Sequence, residues 1–351
     1  MKPTTPSRST LTGANPHTRA NLSTRATRHT RANLSTRPGL TIREVLAATA
    51  VTGAALCLAL PLLAQVRSDD RQQRDAIQLR GLLDAFTIWA GNNKEAFPLP
   101  SQLDVSMATI RRGFPGEADR SKDDTGNIVS VLIWNSLVRP ESVVSPAETN
   151  SSVSVDLGYQ FAQPALANRP AEALWDPGFA GTPFDWNTSR RNAARVANQS
   201  YAHGIPFGRR ETTTAWGTTS ATTRVIWANR GPVYSTTTRP ANGWQLAANA
   251  VGTGSNTLRF FGPADSWEGH VASIDGSVDF VIQPDPAKNT YRPIVSGVPG
   301  PAQSDNLFVD ETDETTFAPD RAFGVNNNIF LQQISGVTAS GSTSTVALWR
   351  D

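Results

Sequence analysis

The chain has 351 residues, with 32 Lys and Arg against 30 Asp and Glu, and a formal net charge of +2. That total conceals an asymmetry: residues 1–39 carry seven basic residues (Lys2, Arg8, Arg19, Arg25, Arg28, Arg31, Arg37) and no acid, which leaves 25 basic and 30 acidic residues in the rest. A body without a net positive field speaks against nucleic acid as a partner. A single cysteine, Cys57, excludes an internal disulfide and a thiolate metal site.

The leader, 1–39, contains a direct repeat. His17-Thr-Arg-Ala-Asn-Leu-Ser-Thr-Arg25 recurs as His29-Thr-Arg-Ala-Asn-Leu-Ser-Thr-Arg37. Two copies are too few for a solenoid, and the segment is too polar to bury a core. It reads as a disordered cytoplasmic tail.

Next comes Pro38-Gly39-Leu40-Thr41-Ile42-Arg43-Glu44-Val45, followed by an apolar run. Val45 to Val66 is 22 residues without a charge. As a helix it would measure about 33 Å, enough to cross a bilayer core. Basic residues on its N-terminal side predict a cytoplasmic leader and an exported body. A glutamate at the mouth of such a segment is costly in lipid, so Glu44 calls for a reason. Pro61 lies near the far end and predicts a bend.

The helical pattern continues from Asp69 to Ala90. Ala76, Leu79, Leu83, Phe86 and Ala90 share one stripe, with Ile77, Leu82 and Trp89 beside it. Gly91-Asn92-Asn93 supplies a C-cap. Beyond Pro98 the signal fades. Ile128–Trp134 reads as a strand or a short helix. Arg224–Trp227, Val271–Ile274 and Ser277–Ile282 read as strands, and Asp275-Gly276 is a two-residue hairpin signal. Residues 145–223 are dense in turn formers and read as an irregular insertion. The C-terminal region holds another apolar stretch, Asn328–Leu331, and a Ser/Thr/Gly-rich segment, Thr338–Thr345.

Gly39-Leu40-Thr41-Ile42-Arg43-Glu44-Val45-Leu46 resembles the processing site of type IV prepilins and type II secretion pseudopilins. The resemblance implies cleavage after Gly39 by a prepilin peptidase and methylation of the new N-terminus at Leu40. Glu44 then becomes the fifth mature residue and serves assembly, while Pro61 falls where pilins carry their helix-bending proline. Head segments add to it. Trp89–Pro98, Ile133–Pro146, Trp227–Pro232 and Trp267–Gly276 resemble prepilin-like proteins of planctomycete type, with Ser145 where those chains have a cysteine. Arg43 departs from the family pattern and can pair with Glu44.

The physical basis for the Glu44 role is an ion pair. A new amine on Leu40 is a cation, and a carboxylate on a neighbouring helix can pair with it in a medium of low dielectric. Other sites carry less. His270 beside Asp275 and Asp279 has the composition for acid–base chemistry, but a polar residue at a strand start explains it as well. Asp305, Asp310, Glu311, Asp313 and Glu314 form the densest acidic cluster, and Asp305, Asp310 and Asp313 are calcium candidates. No cofactor motif and no catalytic motif stand out.

The expected fold is therefore α+β. A long pilin-like N-terminal helix, transmembrane in its first half, packs on a small antiparallel sheet with long loops. The segments run 1–39 (cleaved leader), 40–66 (transmembrane helix), 67–93 (amphipathic continuation) and 94–351 (exported β-rich head). The expected function is a structural pseudopilin-like subunit, not an enzyme, in or near a type II secretion or type IV pilus-like filament. It would sit in the inner membrane as a single-pass protein with its head in the periplasm or at the cell surface. Its partners would be the peptidase, other pilins and the inner-membrane assembly machinery. The alternative is an exported binding protein or adhesin that uses a pilin-type N-terminus without polymerising.

Overall fold

A computed structural model describes residues 41–183, 195–211, 216–219, 223–295, 298–311, 328–340 and 343–351; of 55–65 it describes the backbone alone. The chain divides into two compact units, 1–58 and 59–351. Gly39 and Leu40 lie outside the described residues, as does the leader.

Helix α1 runs from Ile42 to Asn92, 51 residues. Its start is set by Thr41 and Glu44. The Thr41 amide and hydroxyl donate to Glu44 Oε2 at 2.8 and 2.9 Å, and the Glu44 amide donates to Thr41 Oγ1 at 3.3 Å. This is a capping box, in which amides at the start of the helix find side-chain acceptors. The helix ends where Asn93 Nδ2 donates to Trp89 O at 2.8 Å. Lys94 and Glu95 then take positive φ, 56° and 64°, and the Glu95 amide closes on Ala90 O at 3.0 Å. The backbone is helical through Pro61, whose side chain is not among those described.

In the second unit, α1 buries Leu79, Leu83, Phe86 and Ala90 of the expected stripe and Leu82 beside it, while Ala76, also of the stripe, is half-buried. A fully buried Leu or Phe contributes about 1.5–3 kcal/mol, so this face fastens the helix to the sheet. Ile77, read as flanking the stripe, is 64% exposed instead. It stands opposite Asp75 and Leu79 at 3.6 residues per turn.

The sheet is six-stranded and antiparallel. Its strands are β1 (Tyr201–Gly204), β2 (Val225–Asn229), β3 (Gly269–Ser273), β4 (Val278–Val281), β5 (Leu331–Ser340) and β6 (Thr343–Trp349), in the order β6-β5-β1-β2-β3-β4. The β3–β4 hairpin turns at Asp275-Gly276, where Gly276 takes φ +85° as the turn demands. One face packs on α1 and on helix α2 (Thr125–Trp134) through Phe86, Ile128, Leu132, Tyr201, Trp227 and Ala272. The other face carries a second core around Leu258, Trp267, Val271, Phe308 and Leu331. Two ribbons of two short strands each, Thr290–Tyr291 with Gln303–Ser304 and Ile294–Val295 with Val298–Pro299, lie outside the main sheet.

These observations correct the expected fold class. Among the described residues no helix is long and apolar enough to cross a membrane. The helix is long, but from Val66 onward its outer face is charged and its inner face is committed to the sheet. The side chains of 55–65, the middle of the apolar run, lie outside the described ones. Nor is the sheet small. The segment read as an irregular insertion supplies β1, which sits between β2 and β5. The Ser/Thr-rich C-terminal segment supplies the β5–β6 hairpin. The open choice at 128–134 resolves as helix: Asp124 caps α2 by accepting the Asn127 amide at 2.8 Å, and nine of its ten residues are buried.

Candidate functional site

The most concentrated polar chemistry lies under α1. Asp75 is 0% exposed, one turn before Leu79 on the buried stripe. A carboxylate is a costly group to bury unless hydrogen bonds replace its water. Four segments supply them. Ser145 Oγ, from the loop after α2, donates to Oδ1 in a very short contact. Asn229 Nδ2, at the end of β2, donates to Oδ2 at 2.9 Å, and His270 Nδ1, on β3, meets the same oxygen at 2.8 Å. The Tyr201 hydroxyl, on β1, is 2.9 Å from both Asp75 Oδ1 and Gln78 Oε1.

The supporting bonds fix these donors. Asn229 Oδ1 accepts the His270 amide at 2.6 Å, so both ends of that side chain are used. Ser145 Oγ accepts the Ala147 amide at 3.1 Å. Burial and the neighbouring Asp75 charge push the Tyr201 phenol far above its ordinary pKa, so it stays a proton donor. Because the carboxylate only accepts, His270 Nδ1 carries the hydrogen between them. The ring is flanked by Phe261 and Phe280, with centroids 5.4 and 5.1 Å away.

The order of these groups decides what the node can do. In a Ser-His-Asp triad the histidine stands between the hydroxyl and the carboxylate, so that the imidazole takes the hydroxyl proton. Here the carboxylate stands in the middle. Ser145 gives its proton to Asp75 directly, and His270 approaches the other oxygen. The arrangement ties four segments to α1 and is not a Ser-His-Asp triad.

The other predicted residues fall elsewhere. His270 does not join Asp275 or Asp279. On β4 the residue opposite His270 is Phe280, Asp279 pairs with Lys288, and Asp275 accepts the Ser277 amide at 2.8 Å. Glu44 is exposed and held by Thr41, and those two bonds lower its pKa. No Arg43–Glu44 ion pair forms among the described residues. Of the calcium candidates, Asp305 and Asp310 face different partners. Asp305 is buried and accepts the Ile329 amide at 2.6 Å, while Asp310 pairs with Arg210 at 2.6 Å. Asp313 and Glu314 lie outside the described residues. Glu311 accepts the Asn306 amide at 2.7 Å and the Tyr291 hydroxyl at 2.9 Å. Among the described residues no three His, Cys, Asp or Glu side chains converge on a metal position.

Asp75 is the residue the sequence reading passed over. Its signal was available: it stands four positions before Leu79, on the same side of a helix as the apolar stripe. An acid at that angle demands a buried partner set.

Two further buried charge systems brace the second unit. Lys122 and Asp104, both fully buried, meet at 3.0 Å. Arg230 forks onto Glu148 at 2.9 Å to each oxygen, and its guanidinium lies 4.3 Å from the Trp349 ring.

No family model matches the chain, no curated protein matches it, and no solved structure matches its fold.

Proposed function

We propose that this chain is a structural subunit of a pilus-like or type II secretion filament, cut after Gly39 by a prepilin peptidase. The observation that carries the reading is the placement of α1. Its first residue, Ile42, follows the resembled cut site by three positions, and thirty-three residues later its Asp75 is built into the sheet. Cleavage there leaves a mature chain whose third residue, Ile42, opens α1. The Asp75 node supports a structural rather than catalytic role, because its geometry spends every donor on holding α1. Other pilins and the assembly machinery are the partners this role requires.

One observation favours the second reading, an exported binding protein that does not polymerise. Glu44 already has a local partner in Thr41. A neighbouring subunit's amine would have to compete with that capping box. Filament preparations separate the two readings. A polymer subunit co-purifies with filaments, and Glu44→Gln abolishes its incorporation. A chain recovered only as a monomer beside intact filaments contradicts the first reading.

A further inference from the structure

The two edges of the sheet are built differently. At one edge, β4 has four residues, carries Asp279 paired to Lys288, and is followed by Pro284 and Pro286. Short length, charge and proline are the devices that keep an edge strand from pairing. At the other edge, β6 spans seven residues, Thr343–Trp349, with no charge and no proline. It pairs with β5 in unbroken register from Thr343 to Ala347, and a bulge follows before Leu348. Beyond β5, no backbone group of 344–349 has a hydrogen bond among the described residues.

A groove of about 400 Å³ runs beside this edge. One wall is Val346, Leu348 and Arg350, the other includes Tyr234, and Phe308 and Phe330 line it as well. That volume is in the range of a ligand site; its lining is about half polar, with Thr236, Thr237 and Asp310 beside the apolar side chains, and Asp310 is already paired with Arg210. Arg350 is exposed and has neither ion pair nor hydrogen bond among the described residues. An uncharged edge beside a groove with apolar side chains at Val346, Leu348, Phe308 and Phe330, where Asp310 is matched by Arg210 and Arg350 is not matched, is complementary to an extended peptide that carries apolar residues and one acid.

We propose that β6 takes an extended peptide from a partner protein as a seventh strand. Apolar side chains at alternate positions enter the groove, and one carboxylate side chain pairs with Arg350. Main-chain bonds to the edge give affinity, and the groove reads alternate residues. Strand addition needs no rearrangement of β5 or of the core beneath it.

The test is fluorescence anisotropy of the full chain with a labelled synthetic hexapeptide, Thr-Val-Thr-Val-Thr-Glu. Saturable binding is expected. Arg350→Glu should weaken it roughly fivefold, the size of one exposed ion pair, and a probe ending in Lys should recover affinity for that variant. The same probe methylated on its backbone nitrogens should not bind, because strand pairing is blocked while the side chains are kept. Three results would each overturn the proposal: no saturable binding at millimolar probe, equal affinity for the methylated probe, or no effect of Arg350→Glu. Self-association of the chain through β6 without probe binding would also overturn it, by assigning the edge to a second copy.

Discussion

Asp75 Oδ2 lies 2.8 Å from His270 Nδ1, although 195 positions separate the two residues in the chain. The contact joins a helix to the third strand of a sheet. Ser145, Tyr201 and Asn229 converge on the same carboxylate, so one side chain ties together four stretches of sequence.

Removing that side chain leaves several buried donors without an acceptor. Asp75→Ala should therefore cost about 3–5 kcal/mol, the range for breaking a buried charged network. Asp75→Asn should cost less, since the amide keeps one acceptor oxygen. Urea denaturation measures both. A loss below about 1 kcal/mol for Asp75→Ala would show that the node is not what holds α1 to the sheet.

Arg230 offers a second test of buried charge. Arg230→Met keeps much of the volume but strands Glu148 and Asp351, whose side chains are 5% and 9% exposed. The expected cost is again about 3–5 kcal/mol. Replacing both residues together, Arg230→Met with Glu148→Gln, should restore a large part of it. If the double variant is as unstable as the single one, packing on Trp349 rather than charge pairing is what Arg230 supplies.

His203 predicts a pH dependence. It is fully buried between Trp216 and Trp227, with Nε2 2.7 Å from Thr125 Oγ1 and Nδ1 2.7 Å from Gly204 O. Burial lowers its pKa from 6.5 to about 4. The folded state thus resists protonation that the unfolded chain accepts. Its contribution is present above pH 6.5 and is lost as pH falls toward 4, to the extent of about 3 kcal/mol. Asp123 runs the other way. Burial raises its pKa from 3.8 to about 6, against the opposing charge of Arg120. Its contribution is fullest below pH 3.8 and is lost as pH rises through 6. Between pH 6.5 and 4 the two oppose each other, and Asp305, whose pKa burial also pushes well above 3.8, acts in the same sense as Asp123. Asp123→Asn should therefore expose a steep acid-side loss of stability between pH 6.5 and 4. A variant that loses no more stability across this window than the native chain would contradict the assignment of Asp123.

The capping box yields a local prediction. Thr41→Val removes the hydroxyl that meets Glu44 and should fray the first turn of α1. Hydrogen exchange would show faster loss of protection at the Glu44 and Val45 amides, which bond to Thr41 O at 3.0 and 3.1 Å. Unchanged protection there would mean that the Thr41 hydroxyl does not hold the first turn.

What could be read from the sequence was local. The stripe Leu79–Ala90 follows from helical periodicity, and the Asp275-Gly276 hairpin follows from a turn that needs positive φ. Strands β2, β3 and β4 are short apolar runs bounded by turn formers. What could not be read depends on distant pairing. β1 is four residues long and becomes a central strand only because β2 and β5 flank it. The Ser/Thr-rich run 338–345 reads as a polar tail until β5 and β6 pair. Asp75 looks like one more charge on an amphipathic helix until Ser145, Tyr201, Asn229 and His270, 70 to 195 positions away, close around it.

The most direct test of the proposed role is N-terminal mass spectrometry of the mature protein from cells that express prepilin peptidase. A chain beginning at Leu40 with a methylated amine is predicted. A first residue at any other position, or an intact leader, would contradict it.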